Sequence, residues 1–294
     1  MSEITCLGVV GGGFMGSGIA ESAARAGLSV VIHEPEQAPL DRSRARIEES
    51  VRRAAQRGKL SEDEAAEMLG RITWSTELEA LTAADAVVEA IIEDARAKGS
   101  LFKKLDQLLP DAIFLASNTS SIPIAEIAAW TRRPERVIGV HFFSPVPVMS
   151  LVEIVRAIDT SDATVAAADA LAATLQKHPV HTPDRAGFVV NMLLVPYLMA
   201  AIRMYEDGFA TREDIDEGMK RGCGHPMGPL TLCDFIGLDV MYAIGESLYE
   251  EFKRPDFAPP PLLKRMVVSG HFGRKSGRGF YEYEPEPAKV AAPA

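Results

Sequence analysis

Residues 4–34 decide the fold of this chain: ITCLGVVGGGFMGSGIAESAARAGLSVVIHE. The apolar run at 4–10 predicts a short strand buried on both faces. It leads into GGGFMG at 11–16, a match to G-x-G-x-x-G, and then into a run of helical composition. A second apolar run at 28–32 predicts the next strand, and Glu34 follows 18 residues after Gly16. Strand, glycine-rich turn, helix, strand and acid come in the order of a dinucleotide-binding unit.

The glycine-rich turn supplies the first candidate site residues. Its glycines allow backbone N–H groups at a helix N-terminus to approach a pyrophosphate, which points to Gly11, Gly13, Phe14, Met15 and Gly16. Glu34 is placed to accept the ribose hydroxyls and to repel a 2′-phosphate, which favours NAD over NADP. The nearest cations on the sequence are Arg42 and Arg44. The alternative is a glycine-rich turn that binds nothing.

The segment HFFSPVPVMSLVE at 141–153 carries the candidate chemistry. The apolar run 137–140 predicts a buried strand, so His141 falls at the strand end where open α/β sheets bind ligands. The prolines break that strand, and 151–155 predicts the next one with Glu153 in its middle. A buried carboxylate needs a partner, and His141 with Glu153 would form a general base with its orienting acid. The residues alone leave open a packed loop histidine and an edge-strand glutamate.

Two further strand ends carry polar residues. The apolar run 85–92 ends at Glu93, with Lys98 where a helix should begin, and 113–116 opens into SNTSS at 117–121. The SNTSS side chains and Pro123 suit the start of a helix. Because Asn118 and Ser120 would lie at the same sheet edge as His141, a ligand-binding role is an equal alternative.

Residues 38–70 are polar and predict a helical hairpin that turns near Gly58 and stands off the sheet. Their positive charges cluster, which is typical of a solvated face but also suits a phosphate-bearing ligand. The cluster comprises Arg42, Arg44, Arg46, Arg52, Arg53, Arg57 and Lys59.

Beyond residue 185 the pattern becomes helical. Long helical runs, an N-cap signature at Thr211 and a helix-starting Pro229 predict an all-α domain at 186–284, after a Rossmann-type, doubly wound, mostly parallel domain at 1–185. Asn191 lies in apolar sequence near the start of this domain. It is either a satisfied core or capping amide or a hydrogen-bond donor to substrate. Residues 285–294 are low in complexity and predict a disordered tail.

Composition limits the class of protein. The chain has 294 residues, 47% hydrophobic, with a net charge of −10, which argues against nucleic acid or an anionic membrane as partner. No apolar run approaches the ~20 residues of a membrane span. Three cysteines without metal-site spacing predict reduced thiols in a cytoplasmic protein and no metal site, although His225 lies near Cys223.

Taken together, the motifs resemble those of short-chain L-3-hydroxyacyl-CoA dehydrogenases, the family that includes 3-hydroxybutyryl-CoA dehydrogenases. The resemblance runs from Gly8 to Tyr281. It is carried by the glycine turn, VVEAIIE at 87–93, SNTSS, the 141–153 segment, NMLLVPY at 191–197, GHPMGP at 224–229 and FGRKSGRGFY at 272–281.

The resemblance implies an NAD-dependent exchange between (S)-3-hydroxyacyl-CoA and 3-ketoacyl-CoA, with a homodimer formed through the helical domain. It implies His141 as base, Glu153 as its partner, and Ser120 and Asn191 as substrate contacts. The NAD contacts that it implies are Glu34, Glu93, Lys98, Ser120 and Lys275, and the coenzyme A contacts are Ser50 and Arg57.

Two positions depart from the family pattern. Ser144 replaces the usual asparagine after HFF, so that cofactor contact becomes shorter or mediated by water, and Glu34 replaces the more common aspartate. Two rival functions stay open at this point. One is a related dehydrogenase of free 3-hydroxyacids or sugars, and the other is a dinucleotide-binding protein without catalysis. Preferred acyl length and physiological direction do not follow from the sequence.

Overall fold

The computed structural model describes residues 3–284, so the tail predicted at 285–294 lies outside the described residues. The chain divides into two compact units, with the boundary between Phe188 and Val189.

The first unit is built on one eight-stranded sheet. Its strands are β1 (Cys6–Val10), β2 (Ser29–His33), β3 (Ile72–Ser75), β4 (Ala86–Glu89), β5 (Leu115–Ser117), β6 (Val137–Phe142), β7 (Leu151–Arg156) and β8 (His178–Pro183). The order across the sheet is β3-β2-β1-β4-β5-β6-β7-β8, and β1 to β6 are parallel. Strand β7 is antiparallel to β6, and β8 is parallel to β7. The strand order reverses between β1 and β4, the kind of switch point at which such sheets bind ligands.

Both sheet edges are strands that the sequence analysis did not predict. Strand β3 has four residues and β8 carries Pro179 and Pro183. Proline cannot donate to a ladder, and short or proline-containing strands are tolerated only where one side of the strand is unpaired. The predicted strand at 85–92 is real but shorter, because the chain leaves the sheet after Glu89.

Helices cover the sheet of the first unit. They are α1 (Phe14–Arg25), α2 (Gln37–Gln56), α3 (Glu62–Gly70), α4 (Ala95–Leu108), α5 (Ile124–Ala128) and α6 (Asp162–Thr174). Helices α2 and α3 form the predicted hairpin, and a capping box between Ser61 and Glu64 starts α3. The hairpin does not stand off the sheet, since Leu40, Ile47 and Val51 are buried in the same core as β1 and α1. Their spacing of three to four residues, or multiples of it, forms one apolar stripe on an otherwise polar helix.

The second unit is helical. It contains α7 (Val190–Glu206), α8 (Arg212–Cys223), α9 (Pro229–Ile236), α10 (Leu238–Phe252) and α11 (Pro261–Val268). Thr211 caps α8 by accepting a hydrogen bond from Asp214, and Pro229 opens α9, both as predicted. Within residues 3–284, each helix is too short or too polar to cross a membrane.

Candidate active site

The turn between β1 and α1 has a geometry that requires glycine. Gly11 has a φ of +98°, and a Cβ there would lie 2.5 Å from the carbonyl oxygen of Ala90. A Cβ on Gly16 would lie 1.7 Å from the Gly11 carbonyl oxygen, so α1 begins directly against the turn. At Gly13 a Cβ would meet nothing within 4 Å, and no side chain caps the helix. Uncapped N–H groups beside open space fit a pyrophosphate.

Glu34 lies against this turn from the end of β2. Its Oε1 accepts a hydrogen bond of 2.6 Å from the backbone N–H of Gly12. Of the nearby cations, Arg44 is held over the Trp74 ring at 5.2 Å. It is Arg46 that reaches the turn, where Nη1 donates to the Gly12 carbonyl at 3.0 Å. The acid therefore lies directly beside the glycine-rich turn.

A buried ion pair lies between the ends of β4 and β5. Lys98 is 1% exposed and Glu89 is 0% exposed, and Lys98 Nζ lies 2.5 Å from Glu89 Oε1. The other Glu89 oxygen accepts from the Ser117 hydroxyl at 2.6 Å, and Oε1 also accepts from the Ile91 N–H at 2.7 Å. Each atom of this pair is hydrogen-bonded, which is the condition under which buried charges persist.

Glu93 extends the same network to the loop after β5. Lys98 Nζ lies 3.3 Å from Glu93 Oε2, and Glu93 Oε1 accepts from Thr119 Oγ1 at 2.5 Å and Ser120 N–H at 3.0 Å. Burial raises the pKa of the Glu93 carboxyl, but the Lys98 charge and the hydrogen bonds from residues 119–121 outweigh it, so the pKa lies below its usual value. An ionised Glu93 thus fixes the loop that carries Ser120.

His141 and Glu153 form a buried pair across neighbouring strands. They are direct partners in the β6–β7 register, and His141 Nδ1 lies 2.7 Å from Glu153 Oε2. Both are buried, at 6% and 0% exposure. Because a carboxylate only accepts, Nδ1 carries a proton and donates it to Glu153, and in the neutral form of the ring Nε2 is the acceptor. Nε2 lies 3.2 Å from the Ser120 hydroxyl.

Aromatic rings set the plane of the imidazole. The Phe143 ring centroid lies 4.7 Å from that of His141 in an edge-on arrangement, and Phe188 lies at 5.4 Å. Together with the Glu153 contact, they hold Nε2 towards Ser120. The sheet therefore brings a carboxylate–imidazole pair, a serine hydroxyl and a glycine-rich turn to its carboxyl edge.

Comparison with known proteins identifies the family. The model of the 3-hydroxyacyl-CoA dehydrogenase NAD binding domain matches residues 6–185, and that of the 3-hydroxyacyl-CoA dehydrogenase C-terminal domain matches 187–283. The chain belongs to the 3-hydroxyacyl-CoA dehydrogenase family. It is an enzyme that uses NAD to oxidise and reduce 3-hydroxyacyl-CoA compounds.

Individual relatives cover almost the whole chain. A 3-hydroxybutyryl-CoA dehydrogenase of Mycobacterium tuberculosis is 52% identical over 280 residues, 94% of this chain and 98% of the relative. The mitochondrial hydroxyacyl-coenzyme A dehydrogenase of Homo sapiens is 44% identical over 283 residues, 94% of this chain and 90% of the relative. The crystal structure of an (S)-3-hydroxybutyryl-CoA dehydrogenase from Ralstonia eutropha superposes with a TM-score of 0.91 at 45% identity, covering 96% of this chain and 100% of that one.

In this dehydrogenase the SNTSS side chains do not cap the following helix. Asn118 Oδ1 accepts from the Phe142 N–H at 2.8 Å and so ties the ends of β5 and β6 together. Helix α5 is capped instead by Asp184, which accepts from Ile124 N–H at 2.8 Å and Ala125 N–H at 2.7 Å. The predicted capping role is therefore wrong, because the chain turns once more at Pro123 before the helix begins.

The two predicted coenzyme A residues lie at the end of α2. Ser50 is half-buried and hydrogen-bonds Glu21 on α1; burial raises the pKa of the Glu21 carboxyl, and Ser50 only partly offsets this. Arg57 is the exposed C-cap residue of α2 and has no ion pair with any residue in 3–284. Arg52 and Arg53, in contrast, both pair with Glu49. The Arg57 guanidinium at the end of α2 is thus available to pair with a ligand.

The remaining predicted residues are Ser144, Asn191 and Lys275. Ser144 is exposed in the loop after β6, and Asn191 is half-buried in the first turn of α7. Lys275 lies in the glycine-rich turn near the end of the helical unit, with Nζ 2.6 Å from Asp239. That turn is held by the buried Asp234, which accepts from the N–H groups of Phe280 and Tyr281, both at 2.9 Å.

Three residues that build the site were not singled out from the sequence: Glu89, Asp184 and Arg46. Glu89 carried a usable signal, since a carboxylate inside the apolar run 86–92 needs a buried partner for the same reason as Glu153. Asp184 and Arg46 act across 60 and 34 residues of sequence, respectively, and only the tertiary fold reveals their partners.

Proposed function

We propose that the chain interconverts (S)-3-hydroxyacyl-CoA and 3-ketoacyl-CoA with His141 as general base and acid and Glu153 as its partner. The observation that carries this is the buried 2.7 Å contact between His141 Nδ1 and Glu153 Oε2, with Nε2 directed at Ser120. A pair in which a carboxylate orients an imidazole is the arrangement that proton transfer to or from a hydroxyl requires.

The reaction follows from these positions. When bound, the nicotinamide of NAD would accept the hydride that leaves C3 of the substrate. During oxidation, His141 Nε2 takes the proton of the 3-hydroxyl, and Glu153 stabilises the imidazolium that results. The Ser120 hydroxyl, 3.2 Å from Nε2, holds the substrate oxygen beside the ring. In reduction the imidazolium returns the proton to the carbonyl oxygen.

The proposed cofactor contacts follow the edge of the sheet. Gly11, Gly13, Phe14, Met15 and Gly16 would cradle the pyrophosphate, as the open space at Gly13 and the uncapped helix support. Contacts to the rest of the cofactor are proposed for Glu34, Glu93, Lys98, Asn118, Ser120, Ser144 and Lys275.

The substrate is proposed to be a short-chain acyl-CoA such as 3-hydroxybutyryl-CoA, the substrate named for its relatives in Mycobacterium tuberculosis and Ralstonia eutropha. Ser50 and Arg57 would hold the coenzyme A moiety. Asn191 would donate a hydrogen bond to the acyl part.

Domain roles and assembly are part of the same proposal. Residues 1–185, which include the hairpin at 38–70, would bind NAD. Residues 186–284 would bind substrate and form a homodimer. Exposed apolar side chains of the helical unit, including Leu193 and Val240, support a protein–protein contact there. The enzyme is proposed to work in the cytoplasm, in line with its three free cysteines.

Steady-state NADH oxidation with acetoacetyl-CoA, longer 3-ketoacyl-CoAs and free acetoacetate tests the proposal. We expect the highest kcat/KM with acetoacetyl-CoA and product of S configuration. Equal activity on acetoacetate would contradict a coenzyme A-dependent enzyme, and a maximum at long chains would contradict the short-chain assignment. Sedimentation velocity tests the dimer.

A further inference from the structure

We propose that Arg46 is a second determinant of nucleotide recognition and forms, beside Glu34, an anion subsite for a 2′-phosphate that the Glu34 carboxylate masks. The inference rests on the proposed placement of the dinucleotide at the glycine-rich turn. It concerns the adenosine end of the site, away from His141 and Glu153.

Both side chains contact the same residue of the turn. Glu34 Oε1 accepts from the Gly12 N–H at 2.6 Å, and Arg46 Nη1 donates to the Gly12 carbonyl at 3.0 Å. Arg46 Nη1 also donates to Ser17 Oγ at 2.9 Å, and Ser17 Oγ lies 2.9 Å from Ser43 Oγ. An acid and a guanidinium are thus fixed on the two sides of one residue of the turn, where the ribose hydroxyls are proposed to bind.

Several N–H donors of the Arg46 guanidinium have no acceptor among the described residues. Its guanidinium has five N–H groups, and among the described residues only Nη1 is engaged. It has no ion pair within residues 3–284, and the residue is exposed. A planar guanidinium with free donors is the group that best matches a phosphate.

The acid decides whether this subsite is used. With Glu34 ionised, a 2′-phosphate would meet a carboxylate at the ribose, and NADPH would bind poorly although Arg46 is beside it. Without that charge, the Arg46 guanidinium is the charged group that remains in contact with Gly12. The pair therefore predicts that loss of Glu34 admits NADPH only while Arg46 is present.

The experiment compares the wild type with E34Q, R46A and E34Q/R46A, using acetoacetyl-CoA with NADH or NADPH. We expect E34Q to raise kcat/KM for NADPH by about tenfold or more, and R46A in that background to remove the gain, since a hydrogen bond to a charged group is worth roughly that factor. R44A is the matched control, because Arg44 lies on the same helix but is held over Trp74; E34Q/R44A should keep the gain.

A binding measurement separates recognition from turnover. In calorimetry with E34Q, adenosine 2′,5′-bisphosphate should bind more tightly than AMP, and the difference should vanish in E34Q/R46A. Equal affinities for the bisphosphate in these two variants would overturn the inference. A parallel loss of AMP and bisphosphate binding would also overturn it, because Arg46 would then only hold the turn. Failure of the wild type to reduce acetoacetyl-CoA with NADH would instead count against the proposed function.

Discussion

Replacing Glu153 with glutamine removes one charge from the proposed catalytic pair and keeps an oxygen that can accept from His141. The amide has nearly the volume of the carboxyl, and its oxygen can still accept from His141 Nδ1 at the 2.7 Å position. The ring therefore keeps its orientation and its tautomer. What is lost is the stabilisation of the imidazolium that forms when the substrate proton arrives.

The size of the effect follows from the burial of the pair. At 0% exposure for Glu153, water does not screen the contact. A charge-assisted hydrogen bond contributes about 1.5–3 kcal/mol, and two charges about 4 Å apart interact by about 4 kcal/mol at an effective dielectric constant near 20. A loss of about 2–3 kcal/mol in the transition state lowers kcat by roughly 30- to 150-fold.

The assay is kcat for acetoacetyl-CoA reduction, expressed per folded molecule from circular dichroism and NADH-binding titration. E135Q is the matched control, since Glu135 is an exposed carboxylate before β6 and should leave kcat unchanged. H141A should lose several orders of magnitude while NADH still binds. If correctly folded E153Q turns over at nearly the wild-type rate, Glu153 is only a structural residue of β7.

Two further outcomes are expected. R57A should raise KM for acetoacetyl-CoA several-fold at low ionic strength, with little change in kcat. The control R53A should leave KM unchanged, because the Arg53 guanidinium is already paired with Glu49. An unchanged KM in R57A would mean that the coenzyme A phosphates bind elsewhere. E89Q should lower the free energy of unfolding by about 3 kcal/mol, because it removes the nearer charge partner of the buried Lys98 and leaves only Glu93, at 3.3 Å. The surface variant E67Q should lower it by less than about 1 kcal/mol, and similar denaturation midpoints for the two variants would refute this.

Much of the fold was predictable because its signals are local. In the turn at 11–16, a side chain on Gly11 or Gly16 would strike the backbone, so the glycine spacing and the strands and helix around it revealed the turn. Glu153 stood out because a carboxylate in an apolar strand needs a partner, and the antiparallel return of β7 places it directly opposite His141. These features depend on residues close together in the chain.

The missed features depend on long-range packing. Strand β8 was missed because its sequence, with two prolines, suits only a sheet edge, and being an edge is a property of the completed sheet. The hairpin was expected to stand off the sheet because its composition is polar. A narrow apolar face through Leu40 and Ile47 is nevertheless enough to pack it against the core of the first unit. Arg46 was one of seven cations on the hairpin, and nothing local distinguished it.

The Asp184 cap on α5 has a consequence for how the enzyme is made. The helix follows the loop that carries Ser120, yet its cap arrives 60 residues later, just beyond β8. A nascent chain emerges from the ribosome N-terminus first, so the glycine-rich turn is synthesised long before His141 gains Glu153 or α5 gains its cap. During synthesis the glycine-rich turn is therefore complete before the His141–Glu153 pair, and the cap on α5 is the last of the three to be supplied.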